Sequence, residues 1–156
     1  MNIKELELDG LFMIEYLSNA DYRGSFMETY RSDIFDKNGI NSSFVQDNLV
    51  ESTYGVLRGL HYQKNTPQAK LIYVPKGQIF DVAVDLRKKS ATYGKWVGEI
   101  LSEENKRQLY IPVGFAHGYC VLSKYASVIY KCSNYFDSSD QNGIIWNDKK
   151  IGINWP

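Results

Sequence analysis

The sequence predicts an all-β domain of the sandwich, jelly-roll or barrel type. Roughly nine short segments alternate between apolar and polar residues and recur at the spacing of strands joined by tight turns. Only residues 32–37 resemble a helix, which begins at Ser32 and ends at Gly39. The chain has 156 residues, of which 44% are hydrophobic, and it contains no repeat or flexible linker. Residues 1–156 are therefore expected to form a single domain around one core.

The expected strands follow one another closely along the chain. They span residues 11–16, 23–30, 43–50, 55–63, 70–74, 78–86, 95–101 and 108–111, and a last hairpin joins 119–122 to 126–134. Between them, residues 75–77 and 112–118 are expected to form turns, and 102–105 a capped helical turn. His117 falls in the second of these turns. The segment 78–86 has one fully apolar face, and Asp81 lies on the opposite face.

Composition argues against several classes of protein. Eighteen basic and eighteen acidic residues cancel, so no nucleic-acid surface or polybasic membrane patch is expected. Residues 1–10 lack the apolar centre of a signal peptide, and no apolar run approaches the roughly 18 residues of a membrane span. Cys120 and Cys132 sit in apolar strand-like segments, outside any metal-type spacing. They are expected to be reduced and buried, which favours a cytoplasmic protein.

The sequence also lacks the usual signatures of metal and nucleotide chemistry. His61 and His117 are the only histidines, and their spacing matches no metal-binding motif, so neither a metal nor another cofactor is expected. There is no Gly-x-Ser-x-Gly elbow, no Gly-x-Gly-x-x-Gly turn and no P-loop. Acid–base catalysis by side chains alone remains the favoured chemistry.

The segment 55–63 carries the strongest candidate for a catalytic base, His61. Arg58 precedes this histidine by three residues, and Lys70 follows it by nine. Nearby cations lower the pKa of an imidazole, which keeps it neutral near pH 7 as a general base must be. The alternative is a core histidine beside a structural arginine.

Strand periodicity poses a difficulty for this candidate site. Side chains alternate along a strand, so His61 and Gln63 should share one face while Arg58 points to the other. Gly59 offers a solution, because a bulge at a glycine could bring Arg58 to the same side as His61.

The remaining polar inventory suits proton abstraction next to a carbonyl group. A neutral imidazole can remove an acidic C–H proton, and cations such as Arg58 and Lys70 can stabilise the enolate oxygen. The phenol of Tyr130 can then return a proton from the opposite side, which inverts the carbon. Taken alone, however, Tyr130 is better explained as an ordinary core tyrosine, because the chain contains twelve tyrosines.

Motifs along nearly the whole chain resemble those of one enzyme family. The matching segments include Arg23-Gly24 with Glu28, FVQDN at 44–48, VLRGLHYQ at 56–63, Lys70-Leu71, FDVAVDLR at 80–87, GFAHG at 114–118, Tyr130-Lys131, WND at 146–148 and Trp155-Pro156. Together and in this order they resemble the dTDP-4-dehydrorhamnose 3,5-epimerases, cupin-type enzymes of deoxysugar biosynthesis. The combination is far more specific than any single segment.

The resemblance implies both a fold and a reaction. The fold is a double-stranded β-helix, or cupin jelly roll, with short helical segments, assembled as a strand-exchanged homodimer. The strand at 11–16 is expected to cover a sheet edge of the partner. The implied substrate is the nucleotide sugar dTDP-4-dehydro-6-deoxy-D-glucose, and the product is dTDP-4-dehydro-L-rhamnose. Neither a metal nor nicotinamide takes part in the reaction that the resemblance implies.

The resemblance also implies roles for individual residues. His61 corresponds to the base and Tyr130 to the proton donor. The implied substrate-binding residues are Arg23, Glu28, Gln46, Asn48, Arg58, Lys70 and His117. Arg23 and Glu28 would contact the nucleotide and diphosphate across the dimer, where an arginine fork suits phosphate oxygens. Further orienting or stacking residues are Asp81, Phe26, Tyr135, Phe136 and Gln141.

Some features depart from the family pattern. An acidic residue that hydrogen-bonds the base commonly lies beyond the Trp-Pro pair, and this sequence ends at Pro156. The hypothesis is that Asp81, or a water molecule, orients His61 instead. Phe136 stands where a second tyrosine is frequent, and Gln141 where a glutamate is frequent. The alternatives are a mono-epimerase at C3 or C5, an enzyme for another nucleotide 4-keto sugar, and a non-catalytic cupin that binds nucleotide sugars.

Overall fold

The structure, a computed structural model that describes residues 1–16 and 19–156, consists mainly of two packed antiparallel sheets. Its strands are β1 (Asn2–Glu5), β2 (Phe12–Glu15), β3 (Asn19–Asp21), β4 (Gly24–Phe26), β5 (Gln46–Thr53), β6 (Leu57–Gln63), β7 (Lys70–Lys76), β8 (Gln78–Asp85), β9 (Trp96–Ser102), β10 (Gln108–Ile111), β11 (Phe115–Val121), β12 (Tyr125–Cys132) and β13 (Gln141–Gly143). A single helix of the described residues, α1 (Ser32–Lys37), lies between β4 and β5.

The strand order is that of a jelly roll. The larger sheet has the order β1-β2-β10-β7-β12-β5, and the smaller sheet has the order β13-β6-β11-β8-β9. Every neighbouring pair in the two sheets is antiparallel. The short hairpin of β3 and β4 stands apart from both sheets. The all-β jelly-roll prediction is confirmed, and α1 has the predicted bounds.

The main core fills the space between the two sheets. Its fully buried members include Ile72 and Val74 from β7, Ile79 from β8, and Leu109 from β10. A second cluster around Phe35 of α1 covers the outer face of the larger sheet. Burying one such side chain contributes about 1.5–3 kcal/mol relative to leaving it exposed.

The chain beyond β13 covers the outer face of the smaller sheet. Val82 and Val84 of β8 are buried there beneath Trp155, and the ring of Phe80 meets that of Trp155 edge to face at 6.0 Å. The predicted alternation along β8 is thus correct, and Asp81 points inward, where it is fully buried. The smaller sheet therefore directs a charged group toward the interior.

Several expected elements have different bounds in the structure, and three of them differ in a way that has a local cause or shifts the whole element. Residues 23–30 form no continuous strand, because Asp21 accepts hydrogen bonds from the backbone and side chain of Arg23 and closes a tight turn before β4. The expected turn at 75–77 shrinks to Gly77, whose φ of +79° permits the reversal, while β7 continues through Lys76. The strand expected at 43–50 is shifted to Gln46–Thr53.

The region around His117 also differs from the prediction. The turn ends at Gly114, and His117 lies inside β11, which pairs with β8 on one side and β6 on the other. The segments expected to form a last hairpin, β11 and β12, belong to different sheets, so residues 122–124 cross between the sheets. Strand periodicity cannot distinguish a crossing from a hairpin, because the local pattern is the same for both.

The edges of the larger sheet bear on assembly. The strand expected to exchange, β2, pairs with β1 and β10 of its own chain, so both of its edges are already occupied within one chain. The strand pairing of β2 therefore gives no support to the prediction that β2 covers a sheet edge of the partner, and that statement stays a prediction. The edge strands of this sheet are β1 and β5, and among the described residues β5 pairs only with β12. Within residues 1–16 and 19–156, no helix has the length and apolar character needed to cross a membrane.

Candidate active site

A bulge in β6 brings Arg58 and His61 to the same side of the smaller sheet. His61 pairs with His117 of β11 and Arg58 pairs with Tyr119, so three steps along β6 match two steps along β11. The extra residue lies at Gly59, whose φ is +112°. The hypothesis of a bulge at this glycine is confirmed. The base candidate and its nearest arginine therefore face the interior together.

Replacing Gly59 by alanine is expected to destabilise the protein strongly. The new Cβ would lie 2.5 Å from the Cα of Gly118 and 2.6 Å from the carbonyl oxygen of His117, and φ would remain positive. Overpacking against backbone combined with this strained φ should cost about 3 kcal/mol of unfolding free energy. Urea denaturation measures the change.

Gly55→Ala is the matched control for this prediction. Gly55 also has a positive φ, of +75°, but apart from its two neighbours in the chain no residue would have an atom within 4 Å of a Cβ added there. The control should cost only about 1 kcal/mol, from the backbone conformation alone. Equal losses of unfolding free energy in the two variants would show that the close approach of β6 to β11 is not the reason for glycine at position 59.

Two adjoining pockets, named here the outer and inner lobes of one site, share three lining residues between the sheets. The outer lobe, of about 270 Å³, is lined by Gln46, Asn48, His61, Tyr62, Gln63, Gln68, Lys70, Tyr130, Cys132, Phe136 and Gln141. The inner lobe, of about 160 Å³, is lined by Val50, Arg58, His61, Lys70, His117, Gly118, Tyr119 and Tyr130. The side chains shared by both lobes are His61, Lys70 and Tyr130. These three groups therefore mark the centre of the site.

The two candidate catalytic groups come from opposite walls of this cavity. His61 projects from β6 of the smaller sheet, and Tyr130 projects from β12 of the larger sheet. Lys70 lies on β7 beside β12, where it pairs with Cys132. A flat ligand held between the sheets would thus meet an imidazole on one face and a phenol on the other.

The register of the larger sheet explains its contribution to the cavity. Asn48 of β5 pairs with Tyr130, and Gln46 pairs with Cys132, so these side chains share the inward face. The outward residues of β5, such as Asp47 and Leu49, are exposed. Gln46 also donates a hydrogen bond to Asn48 at 2.9 Å, which fixes both amides at the cavity wall.

The environment of His61 favours its neutral form. Burial is the largest cause that lowers the pKa of this imidazole, followed by the positive charge of Lys70 and then by His117. The lowered pKa of His61 agrees in direction with the prediction, but its main cause is desolvation rather than the flanking cations. The ring remains substantially exposed to the cavity, so its nitrogen can reach a bound molecule.

The pKa values of Lys70 and Tyr130 are shifted in directions that fit their buried positions. Burial lowers the pKa of Lys70, while nearby Cys132 and Asp81 act to raise it. Burial raises the pKa of Tyr130, Cys132 adds to the increase, and Arg58 opposes it. Tyr130 therefore keeps its proton near neutral pH, and a phenolate formed there would be stabilised by Arg58.

The structure assigns Asp81 a different partner from the one expected. Its carboxylate lies 2.9 and 3.1 Å from Nε2 of His117, and both residues are buried. The hypothesis that Asp81 orients His61 is therefore wrong in this structure. Asp81 instead orients His117, which is the cross-strand neighbour of His61 on β11. His117 lines the inner lobe, in line with its expected binding position.

A network of polar groups shapes the mouth of the outer lobe. Gln46 accepts a hydrogen bond from the backbone nitrogen of Phe136 at 2.9 Å, which holds that ring at the entrance. Gln63 bonds to the backbone of Tyr135 and Asp137, and also to Thr66. These contacts place one aromatic ring and several amides where a planar ring system could bind.

Several expected site residues lie away from this cavity. Arg23 and Phe26 belong to the exposed β3–β4 hairpin, and Phe26 is 76% exposed. Glu28 is also exposed, and none of these three lines either lobe in the described part of the chain. Tyr135 is 71% exposed and does not line the cavity either, whereas Phe136 and Gln141 do.

Sequence reasoning missed other residues that line the cavity. Gln63, Gln68, Cys132 and Tyr119 all face it. Alternation along a strand placed Gln63 on the same face as His61, although Gln63 was not named as a site residue. The same rule could have found Cys132, two residues after Tyr130. Tyr119 could not have been found in this way, because the local pattern predicts a hairpin for its strand.

The side chains at the cavity do not form a metal centre. Within the ranges that the structure describes, no three His, Cys, Asp or Glu residues come together as a metal-binding group. That the protein uses no metal stays a prediction. The groups present at the cavity can donate, accept and stabilise protons and charge without one.

Comparison with known proteins identifies the family. Residues 5–156 match the profile described as dTDP-4-dehydrorhamnose 3,5-epimerase. The enzyme of that name from Methanothermobacter thermautotrophicus is 53% identical over 149 residues, which cover 96% of this chain and 80% of the relative. The crystal structure of the 3,5-epimerase from Legionella pneumophila, in complex with dTDP-4-keto-L-rhamnose, superposes with a TM-score of 0.97 at 47% identity, over 99% of this chain and 83% of that one.

The same fold also occurs in an enzyme that inverts a single centre. The structure of a 3'-monoepimerase from Streptomyces bikiniensis, in complex with dTDP-quinovose, has a TM-score of 0.90 at 29% identity. The match covers 97% of this chain and 77% of that one. Relatives from Methanothermobacter thermautotrophicus, Shigella flexneri and Legionella pneumophila, which are 47–53% identical to this chain, are described as 3,5-epimerases. This chain belongs to the dTDP-4-dehydrorhamnose 3,5-epimerase family of isomerases.

Proposed function

We propose that this protein inverts C3 and C5 of dTDP-4-dehydro-6-deoxy-D-glucose and so produces dTDP-4-dehydro-L-rhamnose. The observation that carries the proposal is the placement of His61 and Tyr130 on opposite walls of one cavity. Inversion of a carbon requires that a proton leave one face and return to the other. Two groups on the same wall could exchange that proton but could not invert the centre.

The reaction begins with removal of a proton next to the ketone. Neutral His61 takes the hydrogen from C3 or C5, and the electrons of that C–H bond move into an enolate at C4. Lys70, at the centre of the cavity, supplies the positive charge that stabilises the enolate oxygen. Arg58 faces the inner lobe and is fixed by a hydrogen bond from its Nε to Ser52 at 3.0 Å.

The second half of the reaction returns a proton to the opposite face. The phenol of Tyr130 donates its proton to the same carbon, so a new C–H bond forms as the O–H bond breaks. Its raised pKa keeps the group protonated before the step. Before the second inversion, His61 loses the proton that it took and Tyr130 regains one, each by exchange with solvent. Repeating both halves at the second carbon on the other side of the ketone then completes the double epimerisation.

The outer lobe suits the nucleotide end of the substrate. Gln46, Asn48 and Gln141 offer amide groups there, and the ring of Phe136 offers a stacking surface for thymine. A neutral glutamine at position 141 fits a site that approaches diphosphate oxygens, because it adds no negative charge. The lobes together match an elongated ligand with the sugar innermost.

A homodimer would complete this site. Arg23, Phe26 and Glu28 are exposed in one chain and lie away from its own cavity. We infer that the β3–β4 hairpin of one subunit reaches the cavity of the partner, where Arg23 would bind the diphosphate. The cytoplasm is the proposed compartment, because Cys120 and Cys132 are both free thiols.

Mixing two inactive variants tests the contribution of the partner. Chains with His61→Asn keep a normal hairpin, and chains with Arg23→Glu keep a normal base. If the hairpin acts across the dimer, each mixed dimer contains one complete site. Random mixing should then restore about a quarter of the wild-type rate, since half of the dimers are mixed and half of their sites work. Activity no greater than the sum of the two separate variants would show that Arg23 acts within its own chain.

Proton NMR in deuterated water tests the proposed reaction itself. Incorporation of deuterium at both C3 and C5, with inversion of both centres, is the expected result. Exchange at one carbon would indicate a mono-epimerase, and binding without exchange would indicate a nucleotide-sugar-binding protein. Repeating the assay with GDP- and CDP-linked 4-keto sugars establishes whether the nucleotide is selected.

A further inference from the structure

Asp140 is a buried carboxylate that the mechanism above does not use. It is 5% exposed, directly precedes β13 and lines neither lobe of the cavity in the described part of the chain. Its oxygens accept hydrogen bonds of 2.8–3.0 Å from the backbone nitrogen and side-chain amide of Asn65, and from the backbone nitrogen and hydroxyl of Thr66. These partners lie 75 and 74 positions earlier in the sequence, so Asp140 joins two distant segments of the chain.

The groups around Asp140 suit an ionised carboxylate. Hydrogen bonds from the backbone of Thr66 are the largest cause that lowers its pKa, burial opposes them, and the backbone of Asn65 lowers the pKa further. Asp140 is therefore ionised at neutral pH, and an ionised carboxylate acts only as an acceptor. Each of its partners in the loop is an N–H or O–H donor, so the link between the two segments is complete.

The two segments that Asp140 joins both contribute to the outer lobe. The loop of residues 64–68 supplies Gln68 to its lining, and residues 134–141 supply Phe136 and Gln141. Phe136 and Gln141 are the groups proposed above to meet the nucleotide end of the substrate. The distance between the two segments therefore sets the shape of the lobe at that end.

A second pair of hydrogen bonds joins the same two segments at their other ends. Gln68 donates a hydrogen bond to the carbonyl oxygen of Asn134 at 2.8 Å. The side chain of Asn134 donates one to the carbonyl oxygen of Pro67 at 2.7 Å. Unlike the buried carboxylate of Asp140, these two contacts are exposed to solvent. Asp140 is thus the protected end of the link.

Close packing alone does not hold the loop of residues 64–68 in place. A hollow of about 380 Å³ is lined by Lys64, Pro67 and Gln68 of the loop, together with residues such as Leu86 and Phe115. Gln68 borders both this hollow and the outer lobe, so the loop stands between two open spaces. A segment with so few packed neighbours depends on its hydrogen bonds for a fixed position.

We infer that Asp140 is a positioning residue, which ties residues 64–68 to residues 134–141 and so holds Phe136 and Gln141 in the geometry that binds the nucleotide. The inference rests on the proposed function. A site that is already ordered loses less free energy on binding than one whose segments must first be brought together. Affinity for the nucleotide should therefore depend on this link.

The reacting groups do not depend on the same link. His61 and Tyr130 lie within β6 and β12, and the pairing of these strands with their neighbours fixes both side chains in the sheets. Loss of the link should thus weaken nucleotide binding and leave proton transfer at the sugar intact. A purely structural role predicts a different result, because partial unfolding reduces the amount of active enzyme and so lowers the apparent kcat.

Asp140→Ala tests the inference, because it removes every contact of the carboxylate with Asn65 and Thr66. The KM for the dTDP-linked substrate should rise about tenfold, and the dissociation constant of dTDP should rise by a similar factor. The kcat should stay within about twofold of the wild-type value, since the sugar end is unchanged. Initial rates give KM and kcat, and calorimetric titration gives the affinity for dTDP.

Asn65→Ala weakens the link from its other side and is a milder change to the fold. Asn65 lines neither lobe among the described residues, so it can affect binding only through its contacts. The variant should raise KM about threefold, because one of several hydrogen bonds to Asp140 is lost. Combining it with Asp140→Ala should raise KM no further than Asp140→Ala alone, since two residues of one link are not additive.

Asp137→Asn is the matched control. Asp137 lies in the same segment as Asp140, but its carboxylate accepts hydrogen bonds from the backbone nitrogen and hydroxyl of nearby Ser139. The substitution removes the same charge close to the outer lobe and leaves the link to residues 64–68 intact. The KM, the kcat and the affinity for dTDP should all keep their wild-type values.

Three results would overturn the inference. Wild-type KM and dTDP affinity in Asp140→Ala, or in Asn65→Ala if the first variant fails to fold, would show that the link does not affect binding. A fall in kcat at constant KM would show a structural role instead, and an equal rise of KM in Asp137→Asn would show an effect of charge alone. A wild-type protein that neither binds dTDP nor exchanges substrate hydrogen would refute the proposed function itself, before any variant is assayed.

Discussion

His61→Ala is expected to abolish hydrogen exchange at both C3 and C5 of the sugar. A positioned general base contributes about 10²–10⁴-fold to rate, and no other neutral imidazole in the cavity can take over, because His117 is bonded to Asp81. The loss should therefore be about 10²–10⁴-fold at each carbon. Proton NMR in deuterated water follows both positions in one sample.

His61→Asn separates loss of chemistry from loss of binding. The shorter amide keeps a polar group at the cavity wall, so dTDP should bind this variant with nearly wild-type affinity. Calorimetric titration with dTDP measures that affinity. Persistent exchange at C3 or C5 in the alanine variant would show that a second base acts at that carbon.

The pH dependence of the wild type follows from the same group. The base works in its neutral form, and burial together with Lys70 lowers the pKa of His61 below its usual value near 6.5. As the pH falls, kcat/KM should therefore stay constant through pH 6.5 and decline only at lower pH. An acid limb centred above pH 6.5 would contradict the assignment of His61 as a desolvated base.

Tyr130→Phe is expected to separate exchange from inversion. His61 can still remove a hydrogen and return a deuteron from the same face, so exchange with retention should continue. Inversion needs a proton from the opposite wall and should fall by about 10²-fold or more. Proton NMR measures exchange as loss of the H3 and H5 signals, and comparison of the product with both epimers separates retention from inversion.

Tyr125→Phe provides the control on the same strand. Tyr125 begins β12, five residues before Tyr130. Because side chains alternate along a strand, an odd separation puts the two tyrosines on opposite faces of the larger sheet. Loss of the Tyr125 hydroxyl should leave hydrogen exchange and inversion at C3 and C5 unchanged. If Tyr130→Phe inverts both carbons at the wild-type rate, another acid supplies the second proton.

Local patterns predicted much of the fold because they report local geometry. The bounds of α1 and β10 were predicted correctly, as was the alternation along β8. The bulge at Gly59 followed from a conflict that the sequence itself contains, since His61 and Arg58 could not otherwise share a face. A glycine at the point of conflict was enough to resolve it.

Long-range arrangements were beyond these patterns. The sequence could not show that β11 and β12 lie in different sheets, since both have the alternation of a hairpin. Nor could it show that Asp81 contacts His117, because that contact depends on which strand lies beside β8. The resemblance to a family supplied His61 and Tyr130 as a pair, and the structure then placed them on opposite walls of the cavity.

The most direct test of the central claim is a crystal structure with an unreactive substrate analogue. A dTDP-6-deoxyhexose with a hydroxyl group at C4 has no acidified C–H bond and should remain intact in the site. We expect the hexose ring between β6 and β12, with the imidazole of His61 against one face of the ring and the hydroxyl of Tyr130 against the other. A hexose bound outside the cavity, or both groups on the same face of the ring, would contradict the account.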